Sequence, residues 1–145
     1  MITVAGYMTK LIGNVYEGEL VNGAAAAVQN GILMTQGTGD NVGKLVLPAA
    51  DSTTKLVCKE VGSIYDGVTA YRFVVDKLNK RYYFIENGFD INDSLAYDKR
   101  TYTTPVDGYL RAHPLQIGEE FWTTAVTGTI AAGTAYGVQA DGTIG

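Results

Sequence analysis

The sequence predicts a mainly β protein, a small antiparallel β-barrel or β-sandwich with at most one short helix. Three observations carry that expectation. Two stretches, Val68 to Val75 (VTAYRFVV) and Arg81 to Glu86 (RYYFIE), are rich in the β-branched and aromatic side chains that suit a pleated, half-buried surface. Glycine is abundant, at 18 residues, and repeatedly follows Asn or Asp, a pairing that tolerates positive φ and favours tight turns. The last third, Gly108 to Gly145, has almost no charge after Glu120 and no helical periodicity.

A chain of 145 residues can bury a core without disulfides or metals. Residues 1–145 read as a single β-rich domain, with 1–16 as a candidate N-terminal arm. The net charge is −4 and the basic residues are scattered, with one local cluster at Lys77, Lys80 and Arg81. Nucleic acid is therefore not expected as a partner, since phosphate binding needs clustered cations. Cys58 is the sole cysteine, so an intrachain disulfide is excluded. The N-terminus lacks the pattern of a signal peptide, and no apolar run is long enough to span a bilayer as a helix. A soluble protein made in a reducing compartment, without a membrane partner, is the expectation.

Taken in order, Ile2, Val4 and Gly6 alternate with Thr3, Ala5 and Tyr7, a short strand pattern. This apolar arm could pair as an edge strand within its own fold or lie on a partner. Glu17 to Met34 contains Asn22-Gly23 and Asn30-Gly31, both suited to two-residue hairpin turns, so short strands are expected across Ala24 to Ala27. Thr35 to Gly43 reads as a glycine-rich loop. It is not a phosphate loop, because Gly43-Lys44 is followed by Leu45 and Thr38 stands where glycine is required. Lys44 to Leu47 forms a strand ended by Pro48. Thr53 to Val61 forms a longer one, with Leu56 and Cys58 on one face and Val57 and Lys59 on the other.

Asp66-Gly67 turns the chain into Val68 to Val75, which presents Tyr71, Phe73 and Val75 on one face. The polar residues Asp76 to Lys80 then suggest a hairpin into Arg81 to Glu86, closed by Asn87-Gly88. Phe89 to Arg100 is the least β-like segment, and Asp90 or Asn92 could cap one helical turn carrying Leu95 and Tyr97. Thr101 to Thr104 is a short strand stopped by Pro105. Asp107-Gly108 turns into Tyr109 to His113, a strand that Pro114 ends or confines to an edge.

No catalytic, cofactor or metal residues are assigned. Adjacent strand residues face opposite ways, so Glu119 and Glu120 cannot work as an acid–base pair. Phe121 and Trp122 are split in the same way, and both are candidate core or subunit-interface aromatics. His113 has no acid or nucleophile spaced to serve it. Cys58 reads as a small buried residue. One His and one Cys do not make a metal site, and Asp90, Asn92 and Asp93 lack the glycine and glutamate of a calcium loop. The expectation is a protein that is not an enzyme and takes no cofactor.

The two ends echo each other: Gly18, Gly23, Ala25, Val28 and Gln29 match Gly128, Gly133, Ala135, Val138 and Gln139. The phrase YLRAHPLQIGEEFWTTAV followed by GTIAAGTAYGVQADGTIG, and in style EGELVNGAAAAVQNGILM, resembles the capsid decoration, or cement, proteins of tailed-bacteriophage heads. The likeness covers the last quarter and the region near the start, and not Lys55 to Arg100. It implies a virion protein, made in the host cytoplasm, that binds the outer surface of the capsid as a homotrimer and reinforces the major capsid protein. On that implication Met1, Ile2, Thr3, Val4, Ala5, Tyr7 and Met8 are candidate capsid contacts. The alternative is a receptor- or carbohydrate-binding β module from a phage tail or fibre, in which Trp122 would serve as a stacking platform.

Overall fold

The computed structural model describes residues 6–10, 19–65, 68–87 and 102–145. Among these described residues, twelve strands follow in chain order: β1 (Gly6–Lys10), β2 (Glu19–Asn22), β3 (Val28–Gln29), β4 (Leu33–Gln36), β5 (Lys44–Val46), β6 (Asp51–Tyr65), β7 (Val68–Lys77), β8 (Tyr83–Ile85), β9 (Thr103–Thr104), β10 (Tyr109–Pro114), β11 (Glu120–Thr123) and β12 (Ala135–Val138). One 3-10 turn, Gly39–Asn41, lies in the glycine-rich loop between β4 and β5. The mainly β class and the barrel are thus as the sequence predicts. The helical turn expected near Asp90 and the Asp66-Gly67 turn lie outside the described residues.

Two main assemblies are built from ten of these strands, while β3 and β9 pair as a separate two-stranded antiparallel ribbon. One is a closed barrel in the order β10-β2-β5-β4-β8. Its neighbours are antiparallel except β2 and β5, which run parallel. The other is an antiparallel five-stranded sheet in the order β1-β11-β7-β6-β12. The chain's last residues seal the β12 side of this sheet. Ile144 bridges Val138 on one side and Val126 on the other, Thr127 N–H donates to the Ile144 carbonyl at 2.9 Å, and Gly137 N–H donates to the Gly145 carbonyl at 3.3 Å. The edge of β12 is thereby tied back to the chain just beyond β11.

Strands β4 and β8 form the wall shared by the two assemblies, and period-2 alternation divides their side chains. Tyr82 and Phe84 enter the core beneath the sheet, with Leu33, Leu56, Cys58, Phe73, Val75 and Phe121. Tyr83 and Ile85 enter the barrel interior, with Met34, Leu45, Leu110 and Ala112. All four consecutive residues Tyr82 to Ile85 are fully buried. A strand buried on both faces reads as an unbroken apolar run, which is why RYYFIE shows no alternation in polarity.

Several local expectations are corrected. The β7–β8 hairpin does not form: both edges of β7 are taken, by β6 and β11, so β8 pairs instead with β4 and β10. The connecting loop is held against β6, because Asn79 N–H donates to Thr54 Oγ1 at 3.0 Å. Asn22-Gly23 is not a hairpin turn. Asn22 ends β2, and Gly23 N–H continues the ladder to the Leu45 carbonyl at 2.7 Å. Ala24 to Ala26 form bends rather than a strand. The Asn22 side chain supplies their partners, its Oδ1 accepting from Ala24 N–H at 2.9 Å and its Nδ2 donating to the Ala26 carbonyl at 3.2 Å. Such local side-chain bonds compete with a strand ladder.

Candidate functional site

The outward face of the five-stranded sheet and its β1 edge gather the residues of interest. β11 lies between β1 and β7, so Trp122 stands opposite Tyr7 on one side and Arg72 on the other. Phe121 points inward and is fully buried, with its ring centroid 4.6 Å from that of Phe84 and 6.0 Å from that of Phe73. Trp122, one residue on, faces outward and is half-buried. Its ring reaches two strands away: a Cβ built on Gly62 of β6 would lie 3.4 Å from the indole. Gly62 pairs with Ala70 of β7, which is fully buried. These small residues leave the trough in which the indole lies.

Beside the indole, Arg72 Nε donates to Glu60 Oε2 at 3.2 Å and its guanidinium also pairs with Glu120 Oε1. Burial works against the charged guanidinium, but the hydrogen bonds to Glu60 and Glu120 outweigh it and raise Arg72 above its ordinary value. Glu119 and Glu120 do face opposite ways. Glu119 is fully buried and its Oε1 accepts from Gln116 N–H at 2.6 Å. Val57 and Val74, which pair with each other, lie half-buried on the outward side. The result is a patch of an aromatic platform, two valines and one ion-paired arginine; Trp and Arg are residue types enriched at the centres of protein interfaces.

The edge of this patch is β1. Its register against β11 runs Gly6 to Thr123, Tyr7 to Trp122 and Met8 to Phe121. The barrel has no edge and β12 is covered by residues 143–145. Among the described residues, the outer side of β1 has no strand partner. Of the candidate contacts, Met1, Ile2, Thr3, Val4 and Ala5 lie outside the described residues, while Tyr7 and Met8 sit on this paired edge strand. The sequence left open whether the arm pairs internally or lies on a partner; residues 6–10 pair internally.

The other residues weighed from sequence are dispersed. Cys58 is buried beneath the sheet, and burial pushes its thiol up from its ordinary value, against the opposing pull of a backbone hydrogen bond with Glu60 and the Arg72 charge. A thiol so placed stays protonated and unreactive. His113 gains a partner that spacing did not suggest, for Glu86 Oε2 lies 3.2 Å from its Nε2. Lys77, Lys80 and Arg81 are all exposed, and the Arg81 guanidinium lies 5.4 Å over the Tyr83 ring. Among the described residues, no three His, Cys, Asp or Glu side chains are grouped to hold a metal.

Two buried polar centres escaped sequence reasoning. Asp51 accepts hydrogen bonds from Thr53 N–H at 2.9 Å, Thr54 N–H at 3.1 Å, Thr54 Oγ1 at 2.7 Å and Tyr82 Oη at 2.6 Å. Burial alone would raise this carboxyl; the four donors outweigh it and hold it well below the usual carboxylate range. Tyr82 is pushed well above the usual phenol range, by burial first and then by Asp51. The other centre comprises Asn22, Asn30 and Asn87, all buried and all read from sequence as turn formers. No family model matches the chain, and no curated protein or solved structure matches it either.

Proposed function

We propose that this chain is a non-enzymatic structural protein of a tailed-phage head. It binds the outer capsid surface as a homotrimer, bridging major capsid subunits and stabilising the assembled shell, with no part for nucleic acid or membrane. Supporting the reading are the turn motifs of residues 109–145 and 17–34, which resemble those of capsid decoration proteins. The observation that carries it is the edge of β1. Other long edges are closed or covered, whereas β1 offers backbone donors and acceptors to an incoming strand among the described residues. An open edge is a liability unless it is used, and strand addition is a common mode of recognition. The chemistry required is only differential binding: what binds the assembled shell in preference to free subunits stabilises the shell by mass action.

Successive residues of a strand turn their N–H groups to opposite sides, so one of Tyr7 and Met8 points its donor outward. Proline there removes the donor without breaking the pairing to β11. Of Tyr7→Pro and Met8→Pro, the variant that keeps the wild-type melting temperature identifies the outward donor. That variant is expected to lose co-sedimentation with expanded phage heads. Undiminished occupancy of the heads would overturn the edge as the contact. Absence of head binding by the wild type, together with glycan binding that Trp122→Ala abolishes, would assign the carbohydrate-binding module instead.

A further inference from the structure

Asn22, Asn30 and Asn87 each precede a glycine, the sequence context in which asparagine loses its amide most readily, because glycine offers no Cβ to hinder ring closure. The glycine amide nitrogen gives up its proton to solvent base and attacks the asparagine Cγ. Ammonia leaves, carrying Nδ2, and the resulting succinimide takes up water and opens to Asp or isoAsp. In this fold the reacting groups are engaged elsewhere. Gly23 N–H donates to the Leu45 carbonyl at 2.7 Å, and Gly31 N–H donates to the Ile85 carbonyl at 2.8 Å. Asn22 Nδ2 donates to the carbonyls of Thr104 at 3.0 Å and Pro105 at 3.2 Å. Asn30 grips the backbone of Asn87 at both ends, its Nδ2 donating to the Asn87 carbonyl and its Oδ1 accepting from Asn87 N–H at 2.7 Å. Asn87 Nδ2 in turn reaches Thr104 Oγ1 at 2.6 Å and the Tyr109 carbonyl at 2.9 Å.

We infer that this asparagine lattice locks the native protein against deamidation at Asn22 and Asn30, so that the reaction runs only through opening of the barrel and leaves a chain that cannot close it again. Asp at position 22 would face carbonyl oxygens where Asn22 now donates. Asp at position 30 would set a carboxylate against the Asn87 carbonyl. A buried acceptor facing an acceptor forfeits the bond and keeps the desolvation cost. Each opening therefore risks a permanent chemical mark, and the working life of the protein is set by how rarely the barrel opens.

The test incubates the wild-type protein in mildly alkaline buffer, folded and in urea, and follows Asn22 and Asn30 by peptide mass spectrometry. Hydrogen exchange at the Gly23 and Gly31 amides is followed in parallel. Native deamidation is expected to be slower than in urea by roughly 10³-fold, the scale of a rarely populated open state, and both amides are expected to be protected. Native rates within about tenfold of the urea rates would overturn the lock, as would slow deamidation beside unprotected glycine amides. Asn30→Asp is expected not to refold; a variant melting with the wild type would overturn the irreversibility.

Discussion

The segments Gly18 to Gln29 and Gly128 to Gln139 share five residues at matching positions, yet residues 19–29 and 129–139 fold differently. Gly133 adopts φ +88°, with its N–H on the Cys58 carbonyl at 2.7 Å. Its counterpart Gly23 is not left-handed; it extends the β2–β5 ladder, with the Lys44 side chain pressed against the space a Cβ would need. Val28 pairs with Thr104 in the two-stranded β3–β9 ribbon, whereas Val138 pairs with Asp51 in the main sheet. The residue before each shared glycine makes the difference. Asn22 is buried and hydrogen-bonds to four backbone groups; Ala132 is exposed and cannot. Matching glycines thus grant the same freedom, while the polar side chain beside one of them dictates how it is used.

The largest expected effect breaks the N-terminal half of this comparison. Asn22→Ala strands buried backbone groups and is expected to cost about 3 kcal/mol or more, at roughly 1–3 kcal/mol for each group left unsatisfied, read from urea unfolding. The mirror change Ala132→Asn is expected to stay within about 0.5 kcal/mol of wild type, as an exposed surface substitution should. Next comes an acid effect that singles out the C-terminal segment, because β12 rests on Asp51. The folded carboxyl lies below its unfolded value, so its contribution is fully present above pH of about 4, near the ordinary Asp value, and is lost as pH falls further. Melting temperature against pH is expected to decline below that point, and Asp51→Asn is expected to flatten the decline; an unchanged acid profile in the variant would remove Asp51 as its source.

The smallest effects sharpen the contrast between the two glycines. At Gly133, where a Cβ meets open space, only the backbone conformation opposes substitution. Gly133→Ala is expected to cost about 1–2 kcal/mol and Gly133→Asn less, because Asn tolerates the left-handed region better. At Gly23 the order reverses. The obstacle there is the Lys44 Cβ at 2.9 Å and the Leu45 carbonyl at 3.2 Å, so the larger Asn is expected to be the worse of the pair. Equal costs at both positions would mean that the two glycines are held for one reason after all.

Strand identity was legible where the alternation of side chains meets one core and one outward face. Leu56 and Cys58 in β6, and Phe73 and Val75 in β7, are buried as their spacing predicts. The split of Phe121 from Trp122 follows from the same period, and so does that of Glu119 from Glu120. What spacing did not reveal was partner choice. Asp76 to Lys80 look like a hairpin loop because they are polar and few, but a hairpin also needs a vacant edge on β7, and vacancy is a property of the whole sheet. Asn30-Gly31 does turn, with Gly31 at φ +87°, but the side-chain role of the asparagines is hidden for a related reason. Asn-Gly signals a turn through backbone preference, whereas Asn22, Asn30 and Asn87 are used through their side chains, toward carbonyls and amides that include some more than fifty residues away in sequence. Asp51 likewise finds Tyr82 only once β6 and β8 are folded.

The shared wall of β4 and β8 has a consequence for modularity. Tyr82 and Phe84 belong to one core and Tyr83 and Ile85 to the other, so neither assembly owns the strand between them. Cutting the chain between barrel and sheet would leave one of them missing half its lining. Barrel and sheet are therefore not separable parts: neither keeps a complete core without the other. They stand or fall as one unit, and a change at one of these four residues is felt first by whichever core its side chain enters.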